Sequence, residues 1–358
     1  MSASVEQTTC RSLAGLRHGH PSRGTENALT IDVEDYFQVE AFASTVDRSG
    51  WETLPRRVER NTERMLDILG ETTARATFFV LGWVAKRHPH LARRIVGEGH
   101  ELASHGFDHL RADSQTRDEF RNDVRCSKQL LEDVGGVPVR GYRAPTFSIG
   151  RGSRWAHAIL LEEGYRYSSS IYPIRHDLYG TPGAPRTPFA PLPGMLEIPL
   201  STVRLLRTDL PVSGGGYFRL LPYRLSRGLL KHARRVHRSP AVFYLHPWEI
   251  DPDQPRQHAA PLRSRFRHYL NLGRTEPRLR RLLGDFTWMR MDELFLGDGG
   301  GPFPVITSWP DLNTLFCQAT DITVLLPKFG RPWHYASVGR GALQRVWVAA
   351  LLAVARSV

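Results

Sequence analysis

The chain has 358 residues, 41% of them hydrophobic, and its 48 Lys and Arg against 36 Asp and Glu give a formal charge of +12. This allows one α/β domain of about 250 residues with appendages. It excludes a disulfide framework or a thiolate zinc site, because Cys10, Cys126 and Cys317 lie far apart.

Residues 1–27 are polar and aperiodic and are expected to be disordered. Met1 to Arg23 contains Arg11, Arg17 and Arg23 but lacks the apolar core of a secretory signal, so the expected location is the cytoplasm. Order is expected from Ala28-Leu29-Thr30-Ile31, a short strand that delivers Asp32-Val33-Glu34-Asp35 at its end. Pro55 to Leu69 carries a helical apolar pattern stopped by Gly70. Ala76 to Leu81 reads as a strand buried on both faces. The rhythm then repeats. Helices are predicted over Pro89–Val96, Phe120–Val134 and Trp155–Glu163, and strands at Glu101–Ala103, Val139–Arg143, Tyr165–Ser168, Leu196–Pro199, Ala241–Leu245 and Phe286–Met289. Strands alternating with helices through short loops predict a parallel sheet closed or nearly closed as a distorted (β/α) barrel of about seven strands. One domain over residues 28–296 is expected, and 297–358, opening on Gly297-Asp298-Gly299-Gly300-Gly301-Pro302, reads as an appendage. No run reaches the roughly 20 apolar residues of a membrane span.

Four polar clusters each follow a predicted strand: Asp32/Glu34/Asp35, His105/His109, Arg143-Ala144-Pro145 and His246-Pro247-Trp248. Each alone has a bland explanation, as a helix cap, a rim residue or a structural ion pair. With 15 histidines in the chain, chance nearly supplies the His105–His109 pair. Strand ends on one face of a parallel barrel converge, however, so the four together point to a single site. Two neutral imidazoles four residues apart can close on one divalent metal.

This joint pattern resembles the NodB-homology polysaccharide deacetylases, carbohydrate esterase family 4, from about Leu29 to Phe295. Thr30-Ile31-Asp32-Val33-Glu34-Asp35-Tyr36-Phe37 stands where that family has its paired acids. His105-Gly106-Phe107-Asp108-His109 matches its HxxxH metal motif, with Gly106 where Ser or Thr is usual. Arg143-Ala144-Pro145-Thr146-Phe147 and Leu245-His246-Pro247 match two further motifs. The DVEDYF opening, with His176-Asp177-Leu178-Tyr179-Gly180, is similar to the bacterial subgroup linked to exopolysaccharide and exosortase loci. The resemblance implies a metal-dependent N-deacetylase. Its metal would be held by His105, His109 and a carboxylate, with zinc best suited and Co, Mn, Ni or Fe also fitting. Strand alternation puts Asp32 and Glu34 on one face, assigning Glu34 to the metal and Asp32 to the base, with Asp35 the alternative ligand. The resemblance further implies that Arg143 holds Asp32, that a backbone N–H near Thr146 meets the oxyanion, and that His246 protonates the leaving nitrogen. Family members often orient Arg or His with an acid on a further strand. This chain has Ser168-Ser169-Ser170 there, and Asp177 stands as a substitute.

The expected substrate is an N-acetylated glycan, stacked on Tyr36, Phe37, Tyr217, Phe218 and Trp248, with Gly214-Gly215-Gly216 letting backbone approach it. The Arg excess favours an anionic or lipid-diphosphate-linked glycan. Three rivals stand beside this reading: an allantoinase-like amidase, a glycan-binding protein with a worn site, and a nucleic-acid binder. The last leaves the four clusters unexplained, and the basic residues scatter through helices such as Arg278-Leu279-Arg280-Arg281 with no aromatic-interleaved stripe.

Overall fold

The computed structural model describes residues 25–205, 208–297 and 303–306. The expectations for residues 1–24 and for most of 297–358 lie outside the described residues. Among the described residues eleven strands are formed: β1 (Glu26–Val33), β2 (Thr77–Val80), β3 (Glu101–Ser104), β4 (Gly141–Tyr142), β5 (Tyr167–Ser168), β6 (Phe189–Leu192), β7 (Met195–Glu197), β8 (Thr202–Leu205), β9 (Thr208–Pro211), β10 (Val242–Leu245) and β11 (Thr287–Met289). Seven of them pair in parallel in the order β10-β1-β2-β3-β4-β5-β7. β6 joins β7 antiparallel, β11 pairs with the lower half of β1, and β8 and β9 form a separate hairpin. The α/β architecture of about seven parallel strands is present as an open path. At its seam the outer edge of β10 meets a side chain: Ser201 Oγ accepts the N–H of Val242 at 2.8 Å.

Strand alternation sorts the apolar residues into two cores. Ala28, Phe79, Ala103, Tyr167, Leu196, Val242 and Tyr244 fill the inside of the sheet. Their neighbours Leu29, Ile31, Val33, Phe78, Val80, Leu102, Phe243 and Leu245 pack outward under the helices. Thr116 and Glu119 form a capping box that starts the helix Arg117–Gly135, and Gly136, at φ 68°, ends it. Among the described residues no helix is long and apolar enough to cross a membrane.

Three details depart from the sequence reading. Glu26 and Asn27 pair with Thr287 and Trp288, so order begins two residues before Ala28. β6 and the β8–β9 hairpin carry too few β-branched residues in alternation to be read as strands. Beyond Leu296, Val305 bridges to Ala190, and Phe303 and Ile306 pack on the body. The functional consequence of the fold lies at the strand ends. Glu34, His105, Arg143, Ser169 and His246 are each the first residue after β1, β3, β4, β5 and β10.

Candidate active site

At the end of β1 the chain turns sharply, with Glu34 N–H donating to the Asp32 carbonyl at 3.1 Å. Asp35 then leaves the cleft. Its Oδ2 accepts from the N–H groups of Arg57 (2.8 Å) and Val58 (3.0 Å), and its Oδ1 from that of Tyr36 (2.9 Å). Asp35 therefore caps the helix Val58–Gly70, satisfying N–H groups that have no partner within the helix. Glu34 is the acid that meets the histidines: one ligand atom each of Glu34, His105 and His109 lie within 4.8 Å of one another.

His105 Nδ1 lies 2.8 Å from the Arg143 carbonyl oxygen, so Nδ1 carries the proton and Nε2 the lone pair. Burial lowers its pKa to about 4, which keeps the ring neutral. Burial alone would raise Glu34, but His109 and His246, with a smaller part from His105, outweigh it and hold the carboxyl at about 2. Glu34 Oε2 is buried, 2.7 Å from His109 Nε2, and has no hydrogen-bond partner among the described residues. An ionised, dry carboxylate oxygen beside two imidazoles is a donor set that fits a divalent cation. Gly106 makes this loop possible. It sits at φ 78°, and a Cβ there would stand 2.9 Å from Asp123 Oδ2, which, like Asp123 Oδ1, accepts the Phe107 N–H at 3.2 Å.

Arg143 is fully buried. Its Nη1 donates to Asp32 Oδ1 at 2.6 Å and Thr30 Oγ1 at 2.8 Å, its Nε to the Ser169 carbonyl at 3.0 Å, and its Nη2 to Ser169 Oγ at 2.9 Å. The serine run thus orients Arg143, the part for which Asp177 stood as a substitute, and Asp32 alone among these partners balances its charge. Ser170 Oγ accepts the Ala144 N–H at 2.8 Å, and buried Glu197 anchors the run by accepting from the N–H groups of Ser170 and Ile171, both at 2.9 Å. Asp177 touches neither Arg143 nor His246. Its partners are His176, Arg263 and Arg267.

His246 is oriented by Glu249, three residues on, across the turn Pro247–Ile250. Glu249 Oε1 accepts from His246 Nδ1 at 2.8 Å, and Oε2 accepts from Arg219 Nε at 2.8 Å. Burial opposes charge on His246, but Glu34, Glu249 and Asp32 outweigh it and push its pKa up to about 9, so the ring is cationic at neutral pH. Its Nε2 stands 3.5 Å from Glu34 Oε1. The glycine run serves this pair. A Cβ on Gly215 would fall on the Glu249 carboxylate, and one on Gly214 would stand 2.5 Å from the Tyr244 ring, while Gly216 borders the cleft.

These groups open onto a cleft of about 160 Å³. Thr146, Tyr217 and Trp248 line it. Thr146 and Phe147 turn through left-handed φ values of 57° and 49°, and the Thr146 hydroxyl is buried with no hydrogen-bond partner. Trp248 is not an open stacking platform. His246 and His268 cover its faces at 5.1 and 4.1 Å, and its Nε1–H donates to Glu34 Oε1 at 3.3 Å. Tyr36 and Phe37, expected against substrate, are in the outer core, 0% and 1% exposed, where Phe37 packs on Trp51 and Trp83. Phe218 likewise packs on Phe243. Once Asp35 turns away to cap the helix, the residues after it follow. Sequence reasoning missed Glu249, Arg219 and Arg267, and named Ser169 without foreseeing its contacts to Arg143. For Glu249 a signal existed, an acid at the third position after His246 behind a proline.

Residues 40–167 match the family model described as polysaccharide deacetylase, and residues 169–296 match a domain of unknown function, DUF3473. A Bacillus cereus peptidoglycan-N-acetylglucosamine deacetylase is 35% identical over 71 residues, 20% of this chain and 33% of that protein. A chitooligosaccharide deacetylase of Azorhizobium caulinodans is 34% identical over 85 residues, 24% of this chain and 40% of that protein. The matched stretch thus spans well under half the length of these relatives. In three dimensions the chain is similar to a Mycobacterium smegmatis protein assigned to the polysaccharide deacetylases, with TM-score 0.54 at 20% identity over 82% of this chain and 98% of that one, a likeness of fold.

Proposed function

From the polysaccharide deacetylase domain carried by residues 40–167, we propose that the chain is a hydrolase removing N-acetyl groups from amino sugars of a bacterial glycan. The observation that carries this reading is the three-ligand cluster of Glu34, His105 and His109, flanked by Asp32 in the grip of Arg143 and by a cationic His246 backed by Glu249. Glu34, His105 and His109 would hold a divalent ion, which would supply Lewis acidity there, and zinc suits one carboxylate with two imidazoles. Asp32 accepts the proton of the attacking water, and Arg143 fixes its carboxylate. His246 gives its proton to the departing nitrogen as the carbon–nitrogen bond breaks, leaving acetate and a free amine. Glu249 holds the His246 Nδ1–H so that Nε2 faces the cleft. The Thr146 turn and its unpaired hydroxyl stand at the rim where the carbonyl oxygen gathers charge.

The DVEDYF opening favours an exopolysaccharide over cell-wall glycan. The test is acetate release from chitin-, peptidoglycan- and exopolysaccharide-derived fragments, with metal analysis of the protein and a chelated control. Chelator-sensitive acetate release is expected. Tight glycan binding without release would leave a binding protein in its place.

A further inference from the structure

Arg267 lines the same cleft, on a wall supplied by the DUF3473 segment. Its Nη1 donates to Asp177 Oδ2 at 3.0 Å. Its Nε and Nη2 are buried and have no hydrogen-bond partner among the described residues. Those two atoms form the side edge of the guanidinium, a pair of parallel donors matched to the two oxygens of one carboxylate. This protein uses that edge in this way elsewhere. Arg111 clasps Asp113 at 2.9 and 2.7 Å, Arg125 clasps Glu163 at 2.9 and 2.7 Å, and Arg204 clasps Asp209 at 2.9 and 2.8 Å. The cleft's other lining arginine, Arg219, spends its Nε on Glu249 and its Nη1 on the carbonyls of His268 and Leu270.

An unpaired donor held out of water is costly, and more so on a charged group. Asp177 does not remove that cost. It reaches only Nη1 and is shared with Arg263 and His176. Tyr179 and Tyr217, on the same wall, lie near enough to Arg267 to feel its charge. An unfilled carboxylate-binding edge on the cleft wall makes a subsite for an acidic sugar.

We propose that Arg267 binds a carboxylate of the substrate, so that the glycan deacetylated here carries an acidic sugar, such as a hexuronate, within reach of the reacting acetamide. This rests on the deacetylase reading above and narrows its substrate to an anionic glycan. The charge expectation drawn from the whole composition thereby comes down to one side chain.

The test uses the full chain and an N-acetylated oligosaccharide bearing one hexuronate, compared with the same oligosaccharide as its carboxyl methyl ester. A charged hydrogen-bonded pair is worth about 1.5–3 kcal/mol, so the free acid should show a kcat/KM about 10- to 100-fold above the ester, mostly through KM. Arg267→Gln should bring that ratio close to one, and Arg267→Lys should restore part of it. Melting temperatures check that both variants fold. A wild-type ratio near one, or a ratio unchanged in Arg267→Gln, overturns the proposal. So does a preference for a phosphorylated oligosaccharide over the carboxylated one. Calorimetric binding of acid and ester separates this from the parent reading. Selective, Arg267-dependent binding of the acid without acetate release would sustain the carboxylate site and overturn the deacetylase.

Discussion

Replacing Glu249 by Gln removes the charge behind His246 while keeping the size of the side chain. In the native site Glu249 Oε1 accepts from both Nδ1 and the backbone N–H of His246, at 2.8 and 3.1 Å. Against the opposing effect of burial, Glu34, Glu249 and Asp32 raise His246 to about 9. An opposite charge at such range moves a pKa by about 1–3 units. Since Glu249 is one of three contributors, its loss should bring His246 down by about 1–2 units. The acid form of His246 is present below its folded pKa and lost as pH rises through it. The alkaline limb of kcat should therefore move to lower pH in Glu249→Gln. A second effect accompanies this. Arg219, its side chain only 3% exposed, loses its counter-charge, and breaking a buried pair costs about 3–5 kcal/mol. The assay is a pH profile of kcat below the variant's own melting temperature. Arg219→Met, which keeps the Glu249–His246 contact, separates lost stability from lost acid strength. An alkaline limb that stays in place in Glu249→Gln refutes the reasoning, whatever happens to stability.

Asp32→Asn should keep its metal while losing on the order of 10²-fold or more in turnover, and near-normal turnover would remove Asp32 as base. Glu34→Gln should lose bound metal, whereas Asp35→Asn should retain it and instead lower unfolding stability by about 0.5–2 kcal/mol, the usual value of a helix cap. Metal stoichiometry and denaturant titration read the two apart. Phe37→Ala should cost about 3–5 kcal/mol of stability with KM unchanged in the folded protein, because the ring sits in the core and not against substrate. Gly215→Ala drives a methyl into the Glu249 carboxylate, so its pH profile should shift in the same direction as that of Glu249→Gln.

What the sequence made legible was whatever is fixed by position along a strand. The period-2 alternation and the strand–helix rhythm locate four strand ends to within two residues, and the residues there include Glu34, His105, Arg143 and His246. What it left hidden depends on where the chain goes after the strand ends. Glu34 and Asp35 are adjacent and chemically alike, and only the path to the helix at Val58 shows that Asp35 is consumed as its cap. Tyr36 and Phe37 look like sugar platforms until that same turn carries them into the core. Ser169 and Glu249 act through contacts set by turns too short to leave a periodic signal.

The family matches divide the site in an informative way. The polysaccharide deacetylase match begins at residue 40, so it contains His105, His109, Arg143 and Thr146 but not Asp32 or Glu34. The DUF3473 match contributes Ser169, Tyr217, Arg219, His246, Glu249 and Arg267. Hydrogen bonds tie the segments together at the reacting centre: Arg143 to Ser169, Arg143 to Asp32, and Trp248 to Glu34. Neither matched segment alone holds the Glu34, His105 and His109 cluster together with Asp32 and His246. The DUF3473 segment is therefore part of one site with residues 40–167, and much of the cleft wall, including Arg267, comes from it.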